Sequence, residues 1–398
     1  MNSHFLTMLT AAAVLTACNT GSGKADDTST KVDTTGDDGG EDGGDGGGDG
    51  GDGGDGTDCY TGSADGSVAA ATFPAAGLTG EITEEACVLT NGDDAVCLRI
   101  PLQGSPSNYS VGPFCPRTTD DTADDVGIWM EGGTAYDVDG SFIVGLAEFY
   151  GDDTWQLYDA ATGEVRVTDT QESCEAAARP DVDPEYQNYC VECSIDYVGG
   201  GVETVLLVPK VPVAASTPNE LLNITEIGAS LSGVAFAPPA PVDAILGAHT
   251  IAPFDDCGGH VNTVVGYHLH TPVECGTIPA SCDDHAPLMG VALDGYAIFA
   301  GTTDGGTEPG DLDACRGHED TVRGYHYHAA ATGENLFIGC FHGETVAGDG
   351  GGDDGGGGDG GPGDTPVDCE DVPDGSPCCG DDICDGPETE ANCPADCG

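Results

Sequence analysis

CGGHVNTVVGYHLH at residues 257–270 and CRGHEDTVRGYHYH at residues 315–328 are one pattern written twice. Cys, Gly, His, Thr-Val, Gly-Tyr-His and the final His recur at a constant offset of 58. The likeness runs backwards as well: the first copy begins IGASLSGVAF at residue 227 and the second MGVALDGYAI at residue 289. Spacing kept this closely over 227–270 and 289–328 predicts a duplicated unit. Two copies are too few for a solenoid and suit a pseudo-twofold pair of subdomains.

The histidines carry the chemistry of the repeat. In an extended strand, residues two apart project from one face. His268 and His270 therefore converge, as do His326 and His328. His260 and His318 lie eight residues before each pair, across a turn at Gly266 and Gly324, and can return as third ligands. Three imidazoles with an open position make a Zn or Cu site. Tyr267 and Tyr325 face away from the histidines, and Tyr327 points as Tyr325 does. Asp294, Tyr267, Tyr325 and Tyr327 are candidates to orient the imidazoles from behind. Asp294 corresponds to Ser232 in the first copy and reads equally well as a turn aspartate before Gly295. Asp256 precedes Cys257, whereas Ala314 precedes Cys315, with Asp313 one residue further back. His249, His285 and His342 have no partner at a matching offset and are weaker candidates. Two other readings of the triplets stay open: structural histidines that hydrogen-bond backbone groups or stack with the tyrosines, and metal-free acid–base catalysis.

Composition sets the frame. The chain has 398 residues with 71 Asp+Glu against 9 Lys+Arg, a formal net charge of −62. Nine cations scattered over such a length exclude phosphate recognition, so nucleic acid is not a partner. Residues 36–57 and 348–363 hold 24 of the 65 glycines and no aliphatic or aromatic side chain. Such tracts bury too little apolar surface to offset ordering entropy. Residues 19–58 and 346–368 therefore read as disordered Gly/Asp linkers flanking an ordered ectodomain.

The first 18 residues give the address. FLTMLTAAAVLTA (5–17) is too short to span a membrane and has the length of a signal-peptide core. Leu15-Thr16-Ala17-Cys18 resembles a bacterial lipobox, which implies a lipid on Cys18 and anchoring to the cell envelope, on the outer surface or in the periplasm. Residues 2–5 lack the usual Lys or Arg. No run reaches the length of a transmembrane helix. An oxidising compartment makes disulfides of most of the 19 cysteines. CVEC (190–193) lacks a βαβ setting and also reads as ordinary disulfide cysteines. Disulfide-bonded sulfur leaves nitrogen donors, which suit Cu(II) or Zn(II) over Cu(I).

Residues 59–219 read as a β-rich region. SFIVGLAEFY (141–150), TWQLYDA (154–160) and GEVRVTD (163–169) have strand composition and meander spacing. VETVLLVPKVPV (202–213) gives a further strand ended by prolines. In the tail, 369–398, six cysteines permit 15 pairings. Its Asp381, Asp382, Asp385 and Glu388 are hard oxygen donors for Ca2+, though not at EF-hand spacing. The expected fold is mostly β and disulfide-rich, with a duplicated region over 220–345.

GYHYH (324–328), with DGYAIF (294–299), the CGGH and CRGH boxes and IGCFHG (338–343), resembles the YHYH-domain proteins, a secreted or lipid-anchored bacterial family. The resemblance covers 220–345 and extends upstream to GPFCP (112–116) and CVEC (190–193). Leu269 stands in the first copy where the second has Tyr327, which departs from the motif. The tail resembles a small cysteine-rich repeat of secreted bacterial proteins. The family resemblance implies an extracytoplasmic domain and names no activity. No nucleophile elbow, Walker loop, HExxH or dinucleotide fingerprint occurs, so the sequence leans away from an enzyme. Metal binding through the two histidine triplets is the leading reading. A metal-dependent hydrolase or oxidase at the same site and an adhesion module with structural histidines are the alternatives.

Overall fold

The computed structural model describes residues 60–348, apart from 180–181, 222–223, 274, 276–280, 282 and 303–305. The signal segment with Cys18, the acidic linker 19–58 and the cysteine-rich tail with its four carboxylates lie outside the described residues, as do Cys59 and Cys282. Among the described residues no helix is long and apolar enough to cross a membrane.

The first half supplies strands β1 (Thr83–Val88), β2 (Asp94–Leu102), β3 (Ile128–Glu131) and β4 (Thr134–Asp137), helices α1 (Gly140–Tyr150) and α2 (Gln171–Ala177), then strands β5 (Thr204–Pro209) and β6 (Ala214–Asn219). β1, β2 and β5 form an antiparallel sheet and β3–β4 a separate hairpin. The strand expected over 202–213 is β5. The meander is not: residues 141–150 are α1. Asp139 caps that helix by accepting from the Phe142 amide at 2.8 Å, and Gly151 ends it at φ 64°. Packing then overrides the strand composition. Ile143 and Leu146 are buried beside Trp129, Trp155, Leu157 and Phe254 in one apolar cluster. Residues 154–160 and 163–169 contribute only isolated bridges, such as Tyr158–Val165 and Val167–Cys190.

The second half supplies β7 (Gly228–Ser230), β8 (Ala235–Phe236), α3 (Val242–Gly247), β9 (Gly259–Asn262), β10 (Gly266–Leu269), β11 (Leu288–Ala292), β12 (Ala297–Phe299), β13 (Gly317–Asp320), β14 (Gly324–His328) and β15 (Phe341–Gly343). Eight of these strands make one sheet in the order β13-β14-β12-β11-β7-β8-β10-β9. Each strand of 227–270 has its counterpart at the mirrored place in the sheet. β7 and β11 meet antiparallel at the centre, with Ala229 opposite Val291. These two residues occupy equivalent positions of IGAS and MGVA. Further out, Leu269 pairs in parallel with Phe236, and Tyr327 with Ile298. Tyr267, Tyr327, Phe236, Phe299 and Phe337 are each no more than 1% exposed at the heart of this region. Each contributes about 1.5–3 kcal/mol by leaving water.

Ten cysteines of the described residues form five disulfides: Cys87–Cys97, Cys115–Cys190, Cys174–Cys193, Cys257–Cys275 and Cys315–Cys340. Both cysteines of CVEC are thus structural. The fold is mostly β and disulfide-rich.

Candidate metal centres

The β9–β10 hairpin sets His260 directly opposite His268, and the β13–β14 hairpin sets His318 opposite His326. Directly opposed residues share a face of the sheet, and His270 and His328 follow two positions on. The register alone therefore brings each triplet together. In the first set the His260 and His268 Nε2 atoms are 3.1 Å apart. The ligand atoms of His260, His268 and His270 all lie within 4.8 Å of one another.

The second set has a member the spacing did not reveal. His285 Nε2 and His318 Nε2 each lie 3.1 Å from His326 Nε2. His285, His318, His326 and His328 form one group within the same 4.8 Å limit. His285 was set aside because it has no repeat partner. It reaches the site from the segment leading into β11, 41 residues before His326.

The outward nitrogens fix the tautomers. His268 Nδ1 is 3.0 Å from the Gly266 carbonyl and His270 Nδ1 2.6 Å from that of Pro238. His326 Nδ1 faces the Gly324 carbonyl at 3.0 Å, His328 Nδ1 that of Ala300 at 2.9 Å and His285 Nδ1 that of Ala286 at 3.0 Å. His318 Nδ1 faces the Asp311 carboxylate at 2.9 Å. Carbonyl and carboxylate oxygens only accept, so each of these Nδ1 atoms carries the hydrogen. A neutral imidazole then turns a lone pair inward on Nε2.

Protons do not fill the centre at neutral pH. Burial pushes His268 and His326 down to about 4, and His270 and His328 down to about 3. Burial, then the neighbouring His268 and His270, hold His260 well below its ordinary value. The His328 Nε2 is buried with no hydrogen-bond partner. Converging lone pairs repel unless a cation sits among them. Tetrahedral Zn–N bonds of 2.0–2.1 Å separate the nitrogens by about 3.3 Å, close to the spacing of the nearest pairs. The chemistry of both sets fits a transition metal.

Of the structural reading, the backbone hydrogen bonds are present at Nδ1 of five clustered histidines, and the tyrosine stacking is not. The clustered rings pack on one another, on Phe254 and on Phe299, not on tyrosines. Only His342, outside both sets, stacks on a tyrosine, Tyr325, at 3.7 Å between ring centres. His249 bonds Asp152 at 2.9 Å elsewhere on the molecule.

The tyrosines and Asp294 act one layer further out than expected. Tyr267 donates to both oxygens of Asp255, at 3.0 and 2.8 Å, and Tyr325 donates to Asp313 at 2.9 Å. Each aspartate also accepts from the amides two and four residues on: Cys257 and Gly259, or Cys315 and Gly317. Asp255 and Asp313 are thus the matched carboxylates of the two copies, rather than Asp256. They shape the turn that presents His260 or His318. Gly259 and Gly317 lie under the tyrosine rings, where an added Cβ would come within 2.5 Å of Tyr267 and 2.0 Å of Tyr325. Asp294 accepts from Tyr327 and, at 2.9 Å, from the Gly343 amide, which ties β15 to the sheet. None of the four orienting candidates hydrogen-bonds an imidazole.

The model of the YHYH protein family matches residues 205–308, which takes in β5 to β12 and the whole first histidine set. No curated protein and no solved structure matches the chain.

Proposed function

We propose that this YHYH-domain chain is an extracytoplasmic metal-binding protein that holds one transition-metal ion, Cu(II) or Zn(II), at each histidine set. The observation that carries this is the shared tautomer of six imidazoles: the Nδ1 atoms of His268, His270, His285, His318, His326 and His328 are each anchored on an oxygen, so that their Nε2 lone pairs meet in a buried space. All donors are nitrogen, because the nearby cysteines are closed in disulfides, and such a set suits both ions. In this reading His260, His268 and His270 hold one ion, and His318, His326 and His328, joined by His285, hold the other. Five disulfides fit an oxidising, extracytoplasmic setting. A lipid on Cys18 and the acidic linker 19–58 would hold the ectodomain off the membrane, and the repeat 227–270 and 289–328 would be one unit used twice. The test is metal analysis of protein exported to an oxidising compartment and purified without a polyhistidine tag. Two equivalents of Cu or Zn per chain are expected. Failure to acquire either metal at stoichiometric level overturns the reading.

A further inference from the structure

A cavity of about 210 Å3 opens directly onto the first set, and all three of its imidazoles line it. Its other walls come from separate parts of the fold. Phe114 and Val191 belong to the first half, Ile245 to α3, and Pro253 and Val261 to the segment around β9. The wall is mainly apolar, with Arg179, Glu192, Thr250 and Asn262 as its other polar members. The second set differs in donor number. Four imidazoles complete a tetrahedral shell, whereas three leave one position of such a shell to another ligand.

We propose that the His260–His268–His270 set is the reactive centre of the protein: its remaining coordination position takes a small exogenous molecule with one N, O or S donor and an apolar body. The His285–His318–His326–His328 set is coordinatively closed. This rests on the reading that both sets hold metal, and it adds which of them a substrate or ligand can reach. Sites lined by apolar walls around a few placed polar groups are the usual form of small-molecule pockets. A metal with three protein ligands and one exchangeable position is the usual form of a catalytic one.

The full chain, loaded with Cu(II), tests this by its visible and EPR spectra while azide, imidazole and 4-phenylimidazole are titrated. His326→Ala isolates the first set and His268→Ala the second, with His260→Ala as a replacement if His268→Ala fails to fold. Metal content is measured on every sample first. The expected result is a ligand-induced spectral change in the wild type and in His326→Ala, and none in His268→Ala. 4-Phenylimidazole should bind about tenfold or more tightly than imidazole, because its ring enters the apolar cavity. Ala252→Phe, which fills that cavity, should erase the preference. Metal that binds to His326→Ala without responding to any of the three ligands overturns the inference and leaves metal binding intact. A response confined to His268→Ala overturns it too. Absence of metal from every sample overturns the metal reading itself.

Discussion

The two histidine sets start from the same spacing and arrive at different sites. Both are built by a hairpin that opposes one imidazole to another and by a third two residues on. Around the first, Phe254 stacks on His260 and a cavity reaches all three rings. Around the second, His285 supplies a fourth imidazole, and Arg316 stands where the first copy has Gly258. Both residues have positive φ, 81° for Gly258 and 69° for Arg316. The arginine pays for that conformation by donating to the backbone oxygens of His328 and Ala329 at 3.0 and 3.1 Å. The shared hairpin spacing therefore gathers three imidazoles in each set, while the segments around it decide whether a fourth joins them.

The largest expected effect separates the two sites outright. His326 lies within 3.1 Å of two other Nε2 atoms, so His326→Ala should remove one metal equivalent and leave the other. His268→Ala should remove the complementary one. Equilibrium dialysis with metal analysis measures this, and loss of both equivalents from either variant would break the picture of independent centres.

Next in size is the response to acid. The folded-state pKa values of His268, His270, His326 and His328 lie below the unfolded value near 6.5. Between about pH 6.5 and 4 the unfolded chain takes up protons that the folded metal-free chain refuses, so stability falls as pH drops through that window. Each buried imidazole contributes up to about 1.4 kcal/mol per pH unit there. Asp255 and Asp294 oppose this: burial raises both to about 6, so their contribution is present below the unfolded value near 3.9 and is lost as pH rises through about 6. Four imidazoles outweigh two carboxyls, and thermal melts of the metal-free protein should show lower stability at pH 5 than at pH 7.5. Protons compete with metal for the same Nε2 atoms, so metal release should follow the same direction.

A smaller change sharpens the contrast. His285→Ala should weaken the second site by about tenfold or more, which corresponds to 1.4 kcal/mol, and leave the first unchanged. Competition with a chromophoric chelator reads this, and an unaltered second site would remove His285 from the ligand set. The smallest effect compares the supporting tyrosines. Tyr267 is 1% exposed, so Tyr267→Phe withdraws a donor from the buried Asp255 and should cost about 1–3 kcal/mol in chemical denaturation. Tyr325 is half-buried, and Tyr325→Phe should cost less, because water can replace the hydroxyl at Asp313.

Legibility in the sequence followed the range of each interaction. The six repeat histidines were visible because a hairpin converts fixed spacing into proximity within a dozen residues. His285 was not, since its approach to His326 depends on how β11 and β14 flank β12 in the sheet. Asp313 stands one residue behind the Ala314 that matches Asp256, and its counterpart Asp255, at the same offset of 58, is not singled out by the motif. The bonds from Tyr267 and from the Cys257 and Gly259 amides that give Asp255 its role appear only in three dimensions. Helix α1 was misread because Phe142, Ile143, Val144 and Phe149 favour strands. The helix signal lay in its caps, Asp139 and Gly151.

If the two histidine sets hold metal as proposed, the disulfides beside them bear on how the sites assemble. Cys257 and Cys315 stand three residues before His260 and His318, so each box in a reduced chain is a Cys-x-x-His chelate. Thiolate binds soft ions strongly, and it needs no folded sheet to do so. Closing Cys257–Cys275 and Cys315–Cys340 removes that sulfur from the donor set. Under the proposed reading, metal would load after the disulfides close, and a chain meeting copper or zinc while still reduced would be held off that route.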